Sequence, residues 1–259
     1  MDNSDILEKT EQADMVLVGL GEEFDDTGCL GQLAEYGFGI TRLKEAGLEW
    51  MIPAWNGFCR EKSGSGGIAR AEAALANLLK GKNHFVVSVS TNSSLLSIGR
   101  VVMPCGSVVK KQCSGGCREV LEDITERDVK ALKDFCAQLY GGRLPETGTA
   151  LLGTCPECGA PMVLNNIYAE NYNEEGYLAQ WKLYTKWLQG TLNHRLLVLE
   201  LGVGMRFPSV IRWPFEKIVF FNQKAYLYRV NEKLYQLTKE LSEKSCGISK
   251  NAIDWLEQL

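Results

Sequence analysis

The stretch RLLVLELGVG, residues 195–204, is a nearly unbroken run of large apolar residues that ends in glycines. Such a run is typical of a strand buried on both faces of a parallel sheet. The segment DMVLVGLG, residues 14–21, has the same pattern. Parallel sheets bind ligands beyond the carboxyl ends of their strands, so these two glycine-ended strands predict a binding edge.

Strand and helix patterns alternate along the rest of the chain. Further strands are predicted at 84–90, near 217–222 and at 225–230. Helices are predicted at 68–81, 125–140 and 177–191, with a C-terminal helix from about 231. The run Ser63–Gly67 between two helical patterns favours a flexible connector over a phosphate cradle. The alternation predicts an α/β fold with a doubly wound, mostly parallel sheet.

The composition excludes several classes of function. The chain has 259 residues, a net charge of -4 and no basic cluster, which argues against a nucleic-acid partner. The start, MDNSDILEKTEQ, is unlike a secretion signal, and no apolar run approaches the roughly 18 residues of a membrane span. We therefore expect a cytoplasmic protein with no membrane partner, whose nine cysteines serve a metal or remain free thiols.

Two close cysteine pairs predict a zinc site. Cys113 and Cys117 form one pair, and Cys155 and Cys158, in the turn CPECG, form the other. Four thiolates satisfy tetrahedral zinc and leave no open position, so the site would be structural. The alternative is that these residues are free thiols or packing cysteines. Because the pairs fall between sheet elements, we expect a small inserted zinc-binding domain.

Four segments together resemble the sirtuin family. They are LLKGKNHFVVSVSTN (78–92), PCGS with QCSGGC (104–117), CPECGAPM (155–162) and LELGVGMRFPSVIRWPFE (199–216). The last is similar to a divergent bacterial group, related to the macrodomain-linked ADP-ribosylating sirtuins. The resemblance implies an NAD-binding domain formed by residues 1–100 and 177–259, and a zinc domain at 101–176. Sirtuins cleave the nicotinamide–ribose bond of NAD and pass ADP-ribose to an acyl-lysine oxygen or to a protein side chain.

The resemblance also implies roles for individual residues. Asn92 would hold the nicotinamide ribose, Asn222 would meet the adenosine ribose, and Arg212 would bind an anionic substrate or the cofactor phosphates. Glu200, in the neighbouring apolar strand, is an alternative partner for such an arginine. The candidate cofactor-binding residues are Gly19, Gly21, Glu23, Asn92, Gly202, Gly204 and Asn222.

Cys105 stands where sirtuins have their general base. In the family a His-Gly pair lies eight residues before the first zinc cysteine, and here that pair is Cys105-Gly106. The thiol could act as the catalytic base only if a cation such as Lys110 or Lys111 lowered its pKa. The alternative is that Cys105 is a small buried residue that fills the former histidine site.

The first loop departs from the family pattern. The acids Glu22, Glu23, Asp25 and Asp26 follow Gly21, and the family's Pro-Asp-Phe-Arg segment is missing. Carboxylates here would repel a diphosphate, or else they would point into solvent and leave the glycine turn usable.

Two hypotheses of function follow. The first is an NAD-dependent ADP-ribosyltransferase, or a deacylase, acting on a protein side chain. The second is a degenerate sirtuin-fold module that binds NAD, ADP-ribose or a protein partner without turnover.

Overall fold

A six-stranded parallel sheet forms the centre of the molecule. The computed structural model describes residues 4–64, 66–146 and 150–259. Its strands are β1 (Met15–Leu20), β2 (Asn83–Ser88), β3 (Val101–Val102), β4 (Gly106–Cys113), β5 (Glu122–Asp123), β6 (Met162–Asn166), β7 (Leu196–Leu201), β8 (Ala225–Val230) and β9 (Ser245–Ile248). The central sheet has the order β3-β2-β1-β7-β8-β9 with every neighbouring pair parallel, which confirms the predicted sheet.

Helices cover both faces of this sheet. They are α1 (Ser4–Gln12), α2 (Thr27–Leu30), α3 (Ala34–Glu45), α4 (Ile52–Ser63), α5 (Gly67–Leu78), α6 (Glu126–Tyr140), α7 (Glu175–Gln189), α8 (Arg212–Phe221) and α9 (Ala252–Leu256). Helices α1, α5 and α9 pack on one face, where Leu75 and Trp255 are buried. Helices α7 and α8 cover the other through Tyr184 and Phe215. Strands β1 and β7 are therefore buried on both faces, as their apolar runs predict.

A second core lies beside the sheet. Strands β4, β5 and β6 form an antiparallel sheet that packs with α6 and also with α2 to α4. Trp55 of α4 and Phe135 of α6 share this core. Strands β4 to β6 and α6 fall inside the predicted span 101–176, whereas α2 to α4 come from the first part of the chain. The domain boundaries stay a prediction.

Two predicted elements are wrong. Residues 217–221 belong to α8, in which Phe215 and Val219 are buried one turn apart, so helical spacing outweighs the β propensity of the segment. In place of the helix predicted from 231, the chain turns after β8. There the side chain of Asn231 accepts hydrogen bonds from the N–H groups of Lys233 and Leu234.

Two further predictions concern the connector and the membrane. Helix α4 ends at Ser63 and α5 begins at Gly67, and position 65 of the predicted connector lies outside the described residues. Across the described parts of the chain, each helix is too short or too polar to cross a bilayer.

Candidate functional site

Three of the four predicted glycines meet at the carboxyl ends of β1 and β7. The N–H of Gly21 donates to the carbonyl of Leu201 at 2.8 Å, and a Cβ on Gly21 would overlap the backbone of Gly202. Gly202 itself has a φ of 63°, in the left-handed region that favours glycine. Gly19 lies further back in β1, where a Cβ would collide with the Ile211 side chain. Gly19 therefore admits the turn before α8 rather than a ligand.

The first two acids of the loop accept hydrogen bonds from the backbone. Glu22 Oε2 accepts from the N–H of Gly204 at 2.6 Å, while its Oε1 is buried without a partner among the described residues. Glu23 Oε2 accepts from the N–H of Ala252 at 2.7 Å. Burial raises the pKa of Glu23 despite this bond. Both side chains thus lie against the protein instead of extending into solvent.

Asp25 connects the first loop to the end of β2. Its Oδ1 accepts from Ser90 Oγ at 2.8 Å and from the backbone N–H of Thr91 at 2.9 Å. Only 7% of the residue is exposed, and this burial raises the pKa of the carboxyl group. Among the described residues Oδ2 has no hydrogen-bond partner, so one oxygen of a buried carboxyl remains available at the strand ends.

Asn92 is held in one orientation by its neighbours. Its Oδ1 accepts from Arg60 Nη2 at 3.0 Å and from Ser94 Oγ at 2.9 Å, and its Nδ2 donates to Glu72 Oε1 at 3.2 Å. Arg60 also donates to the backbone carbonyl of Asp25 at 3.2 Å. The structure therefore gathers Asp25, Arg60 and Asn92 into one polar cluster at the carboxyl ends of β1 and β2.

Sequence reasoning missed Arg60 and assigned no positive role to Asp25. Arg60 lies within α4, a helix of the second core, and no motif distinguishes it from other helical arginines. Asp25 belongs to the acidic run after Gly21, which the sequence predicts either to repel a diphosphate or to point into solvent. Its position in the loop after β1, at a predicted binding edge, could have identified Asp25 as a site residue.

Cys105 is buried as a neutral thiol. Its exposed fraction is 2%, and burial raises its pKa to about 12, with the nearby Asp25 carboxylate adding to the rise. The lysines that could have lowered it are engaged elsewhere: Lys110 pairs with Asp123 and Lys111 with Asp128, both at short range. The arrangement favours a residue that fills the site over a catalytic base.

Neither histidine replaces the missing base. His84 lies at the start of β2 and His194 just before β7, so both are at the amino ends of strands, away from the glycine turns. His84 Nδ1 is 3.0 Å from the carbonyl of Lys82, and His194 is half-exposed beside Asp14.

Arg212 is buried and bonded to neighbouring elements of the protein. It is 7% exposed, it lies 3.0 Å from the buried carboxylate of Glu200, and it donates to the carbonyl of Val203 at 2.7 Å. Arg212 therefore pairs with Glu200, the alternative partner suggested by the sequence. The structure does not present this guanidinium at the surface for a substrate.

Asn222 lies at the opposite end of the sheet from the glycine turns. Its Nδ2 donates to the carbonyls of Thr191 and His194, beside the amino ends of β7 and β8. Asn231, directly after β8, stands instead at the carboxyl edge and donates to the carbonyl of Val203 at 3.3 Å. The rule that ligands bind beyond strand ends would have selected Asn231.

The four predicted zinc ligands form a compact cluster of sulfurs. Their Sγ atoms all lie within 4.8 Å of one another, and neighbouring sulfurs are 3.5 Å apart. A tetrahedral zinc ion with bonds of about 2.3 Å sets sulfur–sulfur distances of about 3.8 Å, close to these. The pKa of Cys113 is lowered to about 6, chiefly by the hydrogen bond that its sulfur accepts from the backbone N–H of Cys117. This lowered pKa favours a thiolate. The donor set is suited to structural zinc.

Comparison with known sequences finds relatives that are named as ADP-ribosyltransferases. No family model matches the chain. A protein ADP-ribosyltransferase from Staphylococcus aureus (strain Mu50 / ATCC 700699) is 22% identical over 193 residues, which is 71% of this chain and 58% of that protein. A probable bifunctional ADP-ribose hydrolase/ADP-ribosyltransferase from Fusarium oxysporum f. sp. cubense is 28% identical over 148 residues, 54% of this chain and 24% of that protein. The chain therefore spans little more than half of one relative and a quarter of the other.

Solved structures match over the whole chain. A Sir2 homologue in complex with NAD superposes with a TM-score of 0.56 at 11% identity, covering 100% of this chain and 92% of that one. A Sir2 homologue variant bound to ADP-ribose gives 0.54 at 11% identity, covering 100% and 94%. A structure on sirtuin substrate affinity gives 0.54 at 12% identity, covering 100% and 97%. The chain therefore has the sirtuin fold and resembles, in sequence, proteins named as ADP-ribosyltransferases.

Proposed function

We propose that this chain binds NAD and transfers ADP-ribose to a protein side chain. The sirtuin fold and the names of the sequence relatives support this activity. The observation that carries the proposal is the cluster of Asp25, Arg60 and Asn92 at the carboxyl ends of β1 and β2, where such sheets bind their ligands. NAD would supply the ADP-ribosyl group through cleavage of its nicotinamide–ribose bond.

The residues of the cluster would have distinct roles. Asn92 would orient a ribose, because Arg60 and Glu72 hold its amide in place. Asp25 would take the place of the missing histidine, since its Oδ2 has no donor among the described residues and its pKa is raised by burial, which suits a general base. Gly21, Gly202 and Gly204 would line the phosphate side, and the four-cysteine cluster would hold a structural zinc ion.

Calorimetric titration with ADP-ribose and NAD tests this proposal. We expect the wild-type chain to bind both ligands. Asn92→Ala should lower the affinity about tenfold or more, because the buried amide would orient the ribose. Asn77→Ala, an exposed substitution on α5, is the matched control and should bind as the wild type does. Absence of binding at millimolar ligand by the wild type would refute NAD recognition.

Nicotinamide release then tests transfer. Incubation of the chain with NAD and candidate acceptor proteins should release nicotinamide and modify the acceptor, and Asp25→Asn should reduce the rate by about a hundredfold, typical for a lost general base. If Asp25→Asn turns over as fast as the wild type, Asp25 is not the base.

The second candidate function is binding without turnover. Its specific support is Cys105, because a buried neutral thiol stands where a sirtuin base would be. The same observation makes deacylation the less supported enzyme activity. ADP-ribose binding without any nicotinamide release, with every acceptor tried, would favour this second candidate.

A further inference from the structure

The carboxylates of Glu22 and Glu23 occupy backbone N–H groups at the candidate phosphate side. Glu22 binds the N–H of Gly204, in the glycine turn after β7, and Glu23 binds the N–H of Ala252. The loop also lies against this turn, because the N–H of Glu23 donates to the carbonyl of Gly202 at 3.3 Å and a Cβ on Gly202 would approach Glu23 Cβ to 2.6 Å. Glu22 therefore occupies an N–H of this turn, while Glu23 lies beside the turn and occupies an N–H at the start of α9.

A diphosphate bound at this turn would require the N–H group that Glu22 occupies. Dinucleotides place their phosphates on the free N–H groups of glycine turns at the carboxyl ends of parallel strands. A carboxylate and a phosphate are both anionic acceptors, so they cannot share one N–H, and their charges repel at short range. Ligand and side chain would therefore compete.

The held position of Glu22 also carries a cost. Its Oε1 is buried and lacks a hydrogen-bond partner among the described residues. A buried unpartnered acceptor loses its hydration without compensation. Moving the Glu22 side chain outward would rehydrate this oxygen. That gain opposes the loss of the hydrogen bond to Gly204, so the inward and outward positions of the side chain compete.

We propose that Glu22 and Glu23 are internal competitors for the diphosphate of the ligand, and that they determine the affinity of this edge for ADP-ribose relative to uncharged nucleosides. The inference rests on the proposed NAD recognition, but it concerns the two glutamates alone. It predicts that the side chains of Glu22 and Glu23 move outward when a diphosphate binds, while Asp25 keeps its contacts with Ser90 and Thr91.

The test compares ADP-ribose with adenosine by calorimetry. Glu22→Gln, Glu23→Gln and the double variant keep the side-chain shape but remove the charge. We expect the double variant to bind ADP-ribose about tenfold or more tightly than the wild type, because a neutral acceptor holds an N–H about half as strongly. Adenosine, which has no phosphate, should bind all variants equally.

Asp254→Asn is the matched control. Asp254 is an exposed carboxylate that acts on Glu23 only through space, so its loss should change ADP-ribose affinity little. An equal gain in Asp254→Asn would overturn the proposal in favour of a general charge effect. Thermal unfolding should confirm that each variant is folded, and Glu22→Ala provides a second substitution if the double variant is not.

The outcomes separate this inference from the proposed function. Tight ADP-ribose binding by the wild type with no gain in the variants would refute the competitor role and leave NAD recognition intact. Binding only by the double variant would support the competitor role even if transfer is never detected. Failure of the wild type and of every variant to bind ADP-ribose would refute both.

Discussion

Cys105 illustrates how surroundings decide the chemistry of a residue. A thiol is a useful base or nucleophile only as the thiolate, which burial disfavours and a nearby cation favours. Here burial raises the pKa to about 12, and the lysines next in sequence are paired with Asp123 and Asp128. Asp25, in contrast, has hydrogen-bond donors on one oxygen, and none of the described residues donates to the other.

We expect Cys105 to resist alkylation in the folded protein. With a pKa raised to about 12, the thiol stays protonated at neutral pH and its thiolate fraction grows only as the pH rises towards that value. Iodoacetamide labelling followed by mass spectrometry at about pH 7 to 9 should therefore modify Cys105 far more slowly than the exposed Cys29. Equal labelling rates would contradict the buried, neutral state.

Buried charge joins elements of the main sheet. Glu200 of β7 is fully buried and accepts two hydrogen bonds of 2.8 Å from Arg229 of β8, and Arg212 at the start of α8 lies 3.0 Å away. Glu216, further along α8, also pairs with Arg229 at 2.8 Å. The carboxylate of Glu200 thus pairs with two buried guanidinium groups and connects β7, β8 and α8 beside the candidate site.

Glu200→Gln should destabilise the fold by about 3 to 5 kcal/mol, because it removes the counter-charge of the buried Arg212 and leaves Arg229 with Glu216 alone. Glu216→Gln is the matched control. Its side chain is 22% exposed and makes one bond to Arg229, so we expect a loss of about 1 kcal/mol. Urea unfolding at 25 °C measures both values. Similar losses in the two variants would show that the Glu200 network is not the principal charge pairing.

The main sheet and the second core meet around the candidate site. Arg60 comes from a helix of the second core, while Asp25 and Asn92 follow strands of the main sheet. The cysteine cluster lies in the second core, where Cys113 and Cys155 are buried with Leu132. Loss of zinc would therefore act on the site through the packing of α4 and α6.

We expect the purified protein to contain about one zinc ion per chain, because the cluster provides four thiolates. Cys158→Ser should lose the metal and lower the unfolding temperature, since metal binding contributes to folding. Cys29→Ser, which removes an exposed thiol outside the cluster, should retain both. Elemental analysis and thermal unfolding measure the two properties, and full zinc content in Cys158→Ser would exclude this ligand set.

Local patterns in the sequence predicted the α/β class and strands β1, β2, β7 and β8, but not the short edge strands β3 and β9. The apolar runs of β1 and β7, the capped helix α6 and the two close cysteine pairs depend on periodicity and spacing, which neighbouring residues largely determine. The segment 217–222 failed because Val and Phe suit both strands and buried helices over so short a run.

Side-chain direction and partners at the candidate site were decided only by the tertiary structure. Glu22 and Glu23 are adjacent in sequence, yet they bind the N–H groups of Gly204 and Ala252, and Arg60 reaches the amide of Asn92. Asn222 and Asn231 look equivalent in sequence but lie at opposite ends of β8. These contacts join residues that are far apart along the chain. The distance between two such residues is set by the tertiary fold, and hydrogen bonds and buried ion pairs depend on that distance.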